Sequence, residues 1–405
     1  MTPNLIVQKF GGTSLANIER IHAVANLIEK SIQDGKEVVA VVSAMAGETQ
    51  RLIDLAKKIQ SEPDPREYDA LISSGEQVSV ALLAMALKER NFLSKSYTAF
   101  QLGLKTDQIH GKARINSIDT SVLEKDIKKG IVPVITGFQG INESGDITTL
   151  GRGGSDTSAV ALAVALKADE CQIYTDVDGV YTTDPRVYDK AKKIDKLCFE
   201  EMLELSGLGA KVLQIRSVEF ASKFNMPIRV LSSFEPGGGT LIDNEDENLE
   251  NALISGVTHT KNDSKLIIRK VPDLPGIAAK ILSPISKEGI EVDVIVQNVA
   301  EDKTTDFTFT VKDEDADKAA KILNNLSDEL GGGNVELAKE ISKVSVVGVG
   351  MKSHAGVATK MFSALAEKNI NIDMISTSEI KISVVVSRDS AEDAVKALHD
   401  VFELD

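Results

Sequence analysis

The sequence predicts an α/β fold, a sandwich on a mostly parallel sheet followed by two small ferredoxin-like βαββαβ domains. Three observations predict it. From the N-terminus to Ile242, strand-like apolar runs alternate with helical segments, the order of a parallel sheet with helices on its faces. A glycine loop at Pro236-Gly237-Gly238-Gly239 and an acidic stretch from Asp243 to Asn251 then mark a change of composition, read as a domain boundary. Beyond it the chain repeats itself. Gly276, Ala278, Lys280, Ser283, Ile290 and Asp293 all recur as the same residues 80 positions later. These signals divide the chain into residues 1–245, 252–335 and 341–405, with Gly331-Gly332-Gly333 between the two repeats.

The elements follow in order. Leu5, Ile6 and Val7 begin a buried strand that runs into Lys9-Phe10-Gly11-Gly12-Thr13-Ser14. Thr13 or Ser14 is placed to cap a helix over about Leu15–Ile32. Glu37–Ser43 is a β-branched run, and Ser43–Lys58 carries a polar loop, with Thr49 in it, into an amphipathic helix. Gln77–Leu87 is an alanine-rich apolar helix, and Gly130–Phe138 is another buried strand. The Asn142–Asp146 segment reads as a hairpin turn. Ala159–Leu166 is apolar on nearly every face and belongs between layers. Gln172–Tyr174, Ile228–Leu231 and Thr240–Ile242 are short strands. Each repeat reads as strand, glycine turn, helix and strand, then a β-rich stretch (Asp306–Val311 or Lys381–Val386) and a final helix.

Composition narrows the function. The net charge of −15 disfavours nucleic acid and anionic membrane as partners, so an anionic ligand needs local lysines, arginines and amides, with a divalent metal. Cys171 and Cys198 are too few for a disulfide framework and read as core residues. No apolar run is expected to span a membrane, and the chain enters a strand without a signal segment, so a cytoplasmic protein is expected. His22, His110, His259, His354 and His399 lack metal-ligand spacing. No Walker-type loop, H-R-D or D-F-G set, or G-x-S-x-G elbow occurs.

Several segments carry candidate chemistry. At Lys9–Ser14, a strand-to-helix turn with two glycines and one lysine suits a phosphate; a structural bend with a solvated lysine is the other reading. Gly151-Arg152-Gly153-Gly154-Ser155-Asp156 is a second glycine turn. Its Arg152 offers a donor fork for a carboxylate or phosphate, while Asp156 can act as a helix cap or in a ligand site. Ser43 and Thr49 stand beyond the carboxyl end of a strand, where open α/β sheets bind ligands. Glu76 reads as a first-turn carboxylate favoured by the helix dipole, or as a partner for a substrate ammonium. Lys211 begins a helix, as a solvated lysine or a phosphate ligand.

Taken in order, these segments resemble the aspartokinases of the amino-acid-kinase fold family. The resemblance rests on Lys9–Ser14, Val42–Met45, Ser74-Gly75-Glu76, Thr149–Asp156 and Tyr174–Val180. In the tail it rests on Gln297-Asn298 and Ser376–Glu379 of two ACT-like repeats. It implies a three-layer αβα sandwich followed by two ACT domains, and transfer of a phosphoryl group from ATP, with Mg²⁺, to the β-carboxylate of L-aspartate. It implies that Lys9, Phe10, Gly11, Gly12, Ser14, Thr175, Asp176, Tyr181, Asp184, Arg186 and Lys211 hold the nucleotide. It further implies that Ser43, Thr49, Glu76, Arg152 and Ser155 hold aspartate, with Lys9 and Asp156 catalytic and Asp156 organising the lysine. Lysine, threonine or both would act as effectors. Their ligands would be Asp273, Pro275, Gly276, Ala278 and Gln297 of the first repeat, and Met351, His354, Asn371, Ile372, Ser378 and Glu379 of the second. A homodimer through the ACT domains, or a multiple of it, would follow. Two departures from the family pattern bear on the effector: Glu291 replaces an asparagine, and Ala355 replaces a proline. Two rivals remain, a sister kinase acting on glutamate, acetylglutamate, carbamate or a nucleoside monophosphate, and a non-catalytic amino-acid sensor.

Overall fold

The computed structural model describes residues 5–209, 212–245, 254–299, 303–326, 329, 334–354 and 356–405. Lys211, Gly331–Gly333 and Ala355 lie outside them. The chain forms two compact units. One comprises Met1–Tyr181 and Lys193–Leu249, the other Thr182–Lys192 and Glu250–Asp405.

In chain order the first unit contains β1 (Leu5–Phe10), α1 (Ile18–Gln33), β2 (Glu37–Val42), α2 (Glu48–Ile59), α3 (Pro65–Ile72), α4 (Ser74–Glu89), β3 (Ser94–Tyr97), β4 (Lys105–Thr106), β5 (Ile115–Ser117) and α5 (Ser121–Ile127). It continues with β6 (Val132–Thr136), β7 (Gln139–Ile141), β8 (Ile147–Thr149), α6 (Gly154–Leu166), β9 (Glu170–Thr175), β10 (Lys196–Cys198), α7 (Phe199–Gly207), α8 (Ile215–Phe224), β11 (Ile228–Ser232) and β12 (Thr240–Asp243). The main sheet runs β10-β12-β11-β9-β1-β2-β6-β3. Every pairing in it is parallel except β11 with β12. A smaller sheet, β5-β4-β7-β8, includes the expected hairpin around Asn142–Asp146.

The layers follow from the burial pattern. Ile6, Phe10, Val38, Ala40 and Val42 of the central strands pack with Ile21, Val24 and Ile28 of α1 and with Val80, Leu83 and Leu87 of α4. α6 packs on β1 and β9 and against α8. Eleven of its thirteen residues are buried, as an all-round apolar helix requires. The continuous helical run Pro65–Glu89 is long and apolar enough to cross a membrane, which corrects the expectation that no such run exists. It is a core helix instead: just over half of it is buried, and Ser73 divides it into α3 and α4.

Two local expectations change. The cap of α1 is Asn17, whose side chain accepts the Arg20 amide at 2.9 Å, while Thr13–Leu15 form a short 3-10 turn. Thr49 is in the first turn of α2 rather than in a loop, because Gly47 at φ +80 turns the chain directly into the helix. Both cysteines are buried as expected. Burial pushes the Cys198 thiol up to about 12, and the Cys171 thiol also upward, which keeps them protonated.

The second unit contains β13 (Gly256–Pro272), α9 (Ile277–Lys287), β14 (Ile295–Val299), β15 (Thr304–Lys312), α10 (Asp313–Leu326), β16 (Asn334–Val347), α11 (Val357–Glu367), β17 (Met374–Thr377), β18 (Lys381–Ser387) and α12 (Ala391–Val401). They form one antiparallel sheet, β14-β15-β13-β16-β18-β17, with two cores. Leu266, Ile268 and Val271 from the end of β13 join α9, β15 and α10 in one core. Ile254, just before β13, and Val257, at its start, join Val344, Val346, α11, β18 and α12 in the other. Beside the strands of the second repeat, Gly256–Thr260 pairs antiparallel with Lys343–Val347 and adds a strand to that repeat's part of the sheet. A register irregularity between Thr260 and Asp263 marks the handover from one repeat to the other. The contiguous ranges 252–335 and 341–405 therefore describe the sequence repeats rather than the two folded cores.

The single range 1–245 also needs amending, because Thr182–Lys192 folds with the second unit. Val187 packs on the core of the second repeat. Thr182 Oγ1 shares a 2.9 Å hydrogen bond with Nε2 of the fully buried His399, and the Tyr188 ring meets His399 edge-on at 5.1 Å. The Tyr188 hydroxyl bonds Asp400. Polar partners 200 residues downstream leave no local pattern from which to read this placement.

Candidate active site

Parallel pairing aligns the carboxyl ends of five central strands. Phe10 is level with Val42 and Tyr174, Val42 with Thr136, and Thr175 with Ser232. The segments leaving these ends carry Gly11-Gly12, Ser43-Ala44, Gly137, Asp176 and Ser233. This is where an open α/β sheet binds its ligand.

Lys9, near the end of β1, is 9% exposed. Its Nζ is 2.6 Å from Oδ1 of Asp156 in the first turn of α6. That oxygen receives no directed hydrogen bond, so the contact is a close ion pair. Gly153, not Asp156, occupies the cap position of α6, which removes the capping reading of Asp156. The carboxylate faces the lysine instead. A buried lysine held by one carboxylate has a fixed direction, as neutralising a phosphoryl group requires.

Glu76, in the first turn of α4, is nearly fully buried. Its Oε1 accepts the Ala44 amide at 3.1 Å, and its Oε2 is buried without a hydrogen-bond partner. Burial pushes its carboxyl up to about 7, against the lowering effect of hydrogen bonds from main-chain amides. An orphan carboxylate oxygen of this kind suits an ammonium ligand. Ser43 is half-buried just beyond β2, with its amide donating to Phe10 O at 3.1 Å. Ser155 is buried against Gly137, where a Cβ would lie 2.7 Å from that of the serine.

Arg152 lies at the tip of the second glycine turn, exposed and without a hydrogen bond or ion pair to another described residue. Gly153 has φ +70, and a Cβ there would lie 1.7 Å from the Gln214 side chain, so only glycine fits.

The nucleotide candidates divide. The Phe10 ring stacks in the core on Tyr174 at 4.9 Å, leaving only its main chain for a ligand. The Gly11 amide donates to Tyr174 O at 3.3 Å, so a phosphate at this turn would face Gly12 and Lys9 without competing for Gly11. The buried Ser14 hydroxyl bonds Ser233 Oγ at 2.8 Å. Thr175 donates to Asp176 at 3.0 Å, and the Tyr181 hydroxyl donates to Asp178 at 2.7 Å. Asp184 and Arg186, ion-paired at 2.8 Å, belong to the second unit.

Of the effector candidates, Asp273, Pro275, Gly276, Gln297, His354, Asn371, Ser378 and Glu379 are exposed, and Ala278 and Ile372 are half-buried. Met351 is in the core of the second repeat. A cleft of about 720 Å³ is lined by Leu337, Lys339, Asn371, Asp373 and Ser387 among others.

Comparison with known proteins bears on this arrangement. The sequence model of the amino acid kinase family matches residues 4–232, and ACT-domain models match 266–329 and 344–402. An aspartate kinase of Stutzerimonas stutzeri is 60% identical over 402 residues, which cover 99% of this chain and 98% of that protein. The chain belongs to the aspartate kinase family. Aspartokinase 2 of Bacillus subtilis is 48% identical over 400 residues, again with 99% and 98% covered. Among solved structures, Escherichia coli aspartokinase III in complex with aspartate and ADP, in its R-state, superposes with a TM-score of 0.82. Identity there is 27%, over 98% of this chain and 99% of that one. The same enzyme with lysine and aspartate, in its T-state, gives 0.78 at 27% identity over the same shares. As a member of this kinase family the chain is an enzyme, and the expected fold of kinase domain and paired ACT repeats holds.

Proposed function

We propose that this enzyme transfers the γ-phosphoryl group of ATP to the β-carboxylate of L-aspartate, giving 4-phospho-L-aspartate, the first step toward lysine, threonine and methionine. The observation that carries the reading is the buried Lys9–Asp156 pair at the carboxyl ends of the central strands. A free aspartate β-carboxylate is ionised at neutral pH, so it attacks without a general base. One of its oxygens bonds to the γ-phosphorus as the bond from phosphorus to the β–γ bridging oxygen breaks, and ADP leaves with that electron pair. The protein's task is to hold two anions in line and offset charge on the transferring group. Lys9, oriented by Asp156, would do this beside the Gly12 amide. Glu76 would take the substrate ammonium, Arg152 a carboxylate, and Ser43, Thr49 and Ser155 would hold the remainder. Thr175, Asp176 and Tyr181 are the proposed nucleotide contacts of the first unit, with Lys211 a further candidate.

Magnesium uses one or two carboxylates with the substrate phosphates rather than a dedicated cage. Asp156 Oδ1 is already engaged by Lys9 at 2.6 Å, so such an ion would be held chiefly by the substrate phosphates. When bound, the ion would neutralise the β- and γ-phosphoryl oxygens.

The ACT pair supports feedback control by lysine, threonine or both, in a homodimer or a multiple of one. The T-state of the Escherichia coli enzyme, solved in complex with lysine and aspartate, favours lysine as one effector. The test is coupled ADP release with aspartate and with glutamate, each with lysine and threonine added singly and together. Aspartate-dependent turnover that is lost in Lys9→Ala is expected. Turnover on glutamate alone would overturn the reading, and no turnover on either would favour the non-catalytic sensor.

A further inference from the structure

The side chain of Arg152 is free among the described residues, so its direction depends on the peptide that carries it. Two side chains from distant helices hold the stretch just before it. Asp69 of α3 is completely buried. Its Oδ2 accepts from the amides of Gly111 and Thr149, both at 3.0 Å, and lies 2.9 Å from His110 Nδ1. Its Oδ1 accepts from the Thr149 hydroxyl at 2.6 Å. Two main-chain donors and one hydroxyl thus converge on this one carboxylate.

Arg216 of α8 acts on the following residue. Its Nη1 donates to Leu150 O at 2.5 Å and its Nη2 to Ala113 O at 2.9 Å. A carboxylate thus collects the N–H and O–H groups of Thr149, and a guanidinium collects the carbonyl of Leu150. Gly151 and Arg152 follow immediately. The same two groups tie in the neighbouring 110–113 segment, where a Cβ on Gly151 would come within 2.9 Å of Gly111 O.

We infer that Asp69 and Arg216 are positioning residues for aspartate binding: they fix the Thr149-Leu150 peptide and thereby aim Arg152 at a substrate carboxylate. The inference rests on the reading of Arg152 given above. A guanidinium carried on a fixed peptide binds a carboxylate without the further cost of ordering a mobile loop. Neither residue touches the nucleotide candidates described for β1 and β9, so the effect belongs to aspartate rather than to ATP.

The test is a set of double-mutant cycles read as the KM for each substrate. Asp69→Asn and Arg216→Gln are each combined with Arg152→Ala in the full-length enzyme. Each single substitution should raise the aspartate KM about tenfold, a usual coupling within one hydrogen-bonded network. The ATP KM should stay within about twofold. In the Arg152→Ala background the same substitutions should change the aspartate KM by less than about twofold, because the residue they act through is gone. Arg216→Lys should recover part of the loss.

Should Asp69→Asn not fold, Thr149→Val removes one donor to the same carboxylate at nearly constant volume and carries the same expectation. Equal factors in both backgrounds, or an ATP KM rising in parallel, would overturn the inference and leave the role of Arg152 standing. An aspartate KM unchanged in Arg152→Ala alone would overturn the reading of Arg152, and the inference with it.

Discussion

Lys9 and Asp156 show what burial does for two ordinary side chains. A lone buried ammonium is costly, and so is a lone buried carboxylate, so each makes the other tolerable at 2.6 Å. Removing one partner strands the other. Lys9→Ala should lower kcat by about 10²–10³-fold, the loss typical of one preorganised charge at a transition state. Circular dichroism should confirm the fold, and retained turnover would remove the lysine from the mechanism. Glu76 makes a separate prediction through pH. Burial raises its carboxyl to about 7, so it is neutral below that pH and anionic above. A substrate ammonium needs the anion. The aspartate KM should therefore fall as pH rises from about 5 through 7 and level off above, and Glu76→Gln should abolish this dependence. The stability effect has the opposite sense. With its folded value raised above the unfolded one, Glu76 contributes most below the unfolded pKa, and that contribution is lost as pH climbs through about 7.

Among the elements, what could be read from sequence depended on the range of the contacts that set each one. The strands and α6 declared themselves because apolar pattern and burial are local properties. The cap of α1 did not, since Thr13, Ser14 and Asn17 all offer the right oxygen and only the backbone chooses among them. Asp69 and Arg216 were invisible as well, for they lie in helices without a motif and their partners are 41 to 103 residues away. The Thr182–Lys192 segment carries no local pattern that announces its place, yet it is fastened to α12. Its anchor, His399, is fully buried, and burial lowers its pKa. The unfolded chain then binds more protons than the folded one as pH drops below about 6.5. Stability contributed by neutral His399 is complete above that value and lost as pH falls toward its depressed folded value. His259, also lowered by burial, adds in the same direction. Glu76 acts in the opposite sense over the same range, so the histidine contribution is read by difference: as pH falls from 7 to 5 the melting temperature of His399→Gln should rise relative to that of the unsubstituted chain, changing the slope. An unchanged slope would show that other groups govern it.

At the scale of the whole molecule, the repeat turns one backbone device into two nearly identical copies. Gly276 caps α9 with φ +92 and ψ −3, and Gly356 caps α11 with φ +97 and ψ −7. A Cβ added at either would meet nothing within 4 Å. Replacing either glycine therefore costs backbone strain without a clash, on the order of 1–2 kcal/mol and nearly equal at both sites. The surroundings differ, since the first turn follows Asp273 and Pro275 whereas the second follows Met351 and His354. The strands do not keep the repeats apart either, for β13 and β16 each serve both cores. Equal strain in unequal surroundings makes the pair a controlled comparison. Gly276→Asp and Gly356→Asp should lower the melting temperature by similar amounts. Their half-inhibitory concentrations for lysine and threonine, each referred to the variant's own uninhibited rate, should separate. Gly276→Asp should move its curve about 5- to 150-fold, the span of a typical coupling between sites. A shift confined to one variant assigns the effector to that repeat, whereas equal shifts would mean that the shared sheet couples both turns to one response. If neither curve moves, these turns do not sense the effector, and the control site must be sought elsewhere in the second unit.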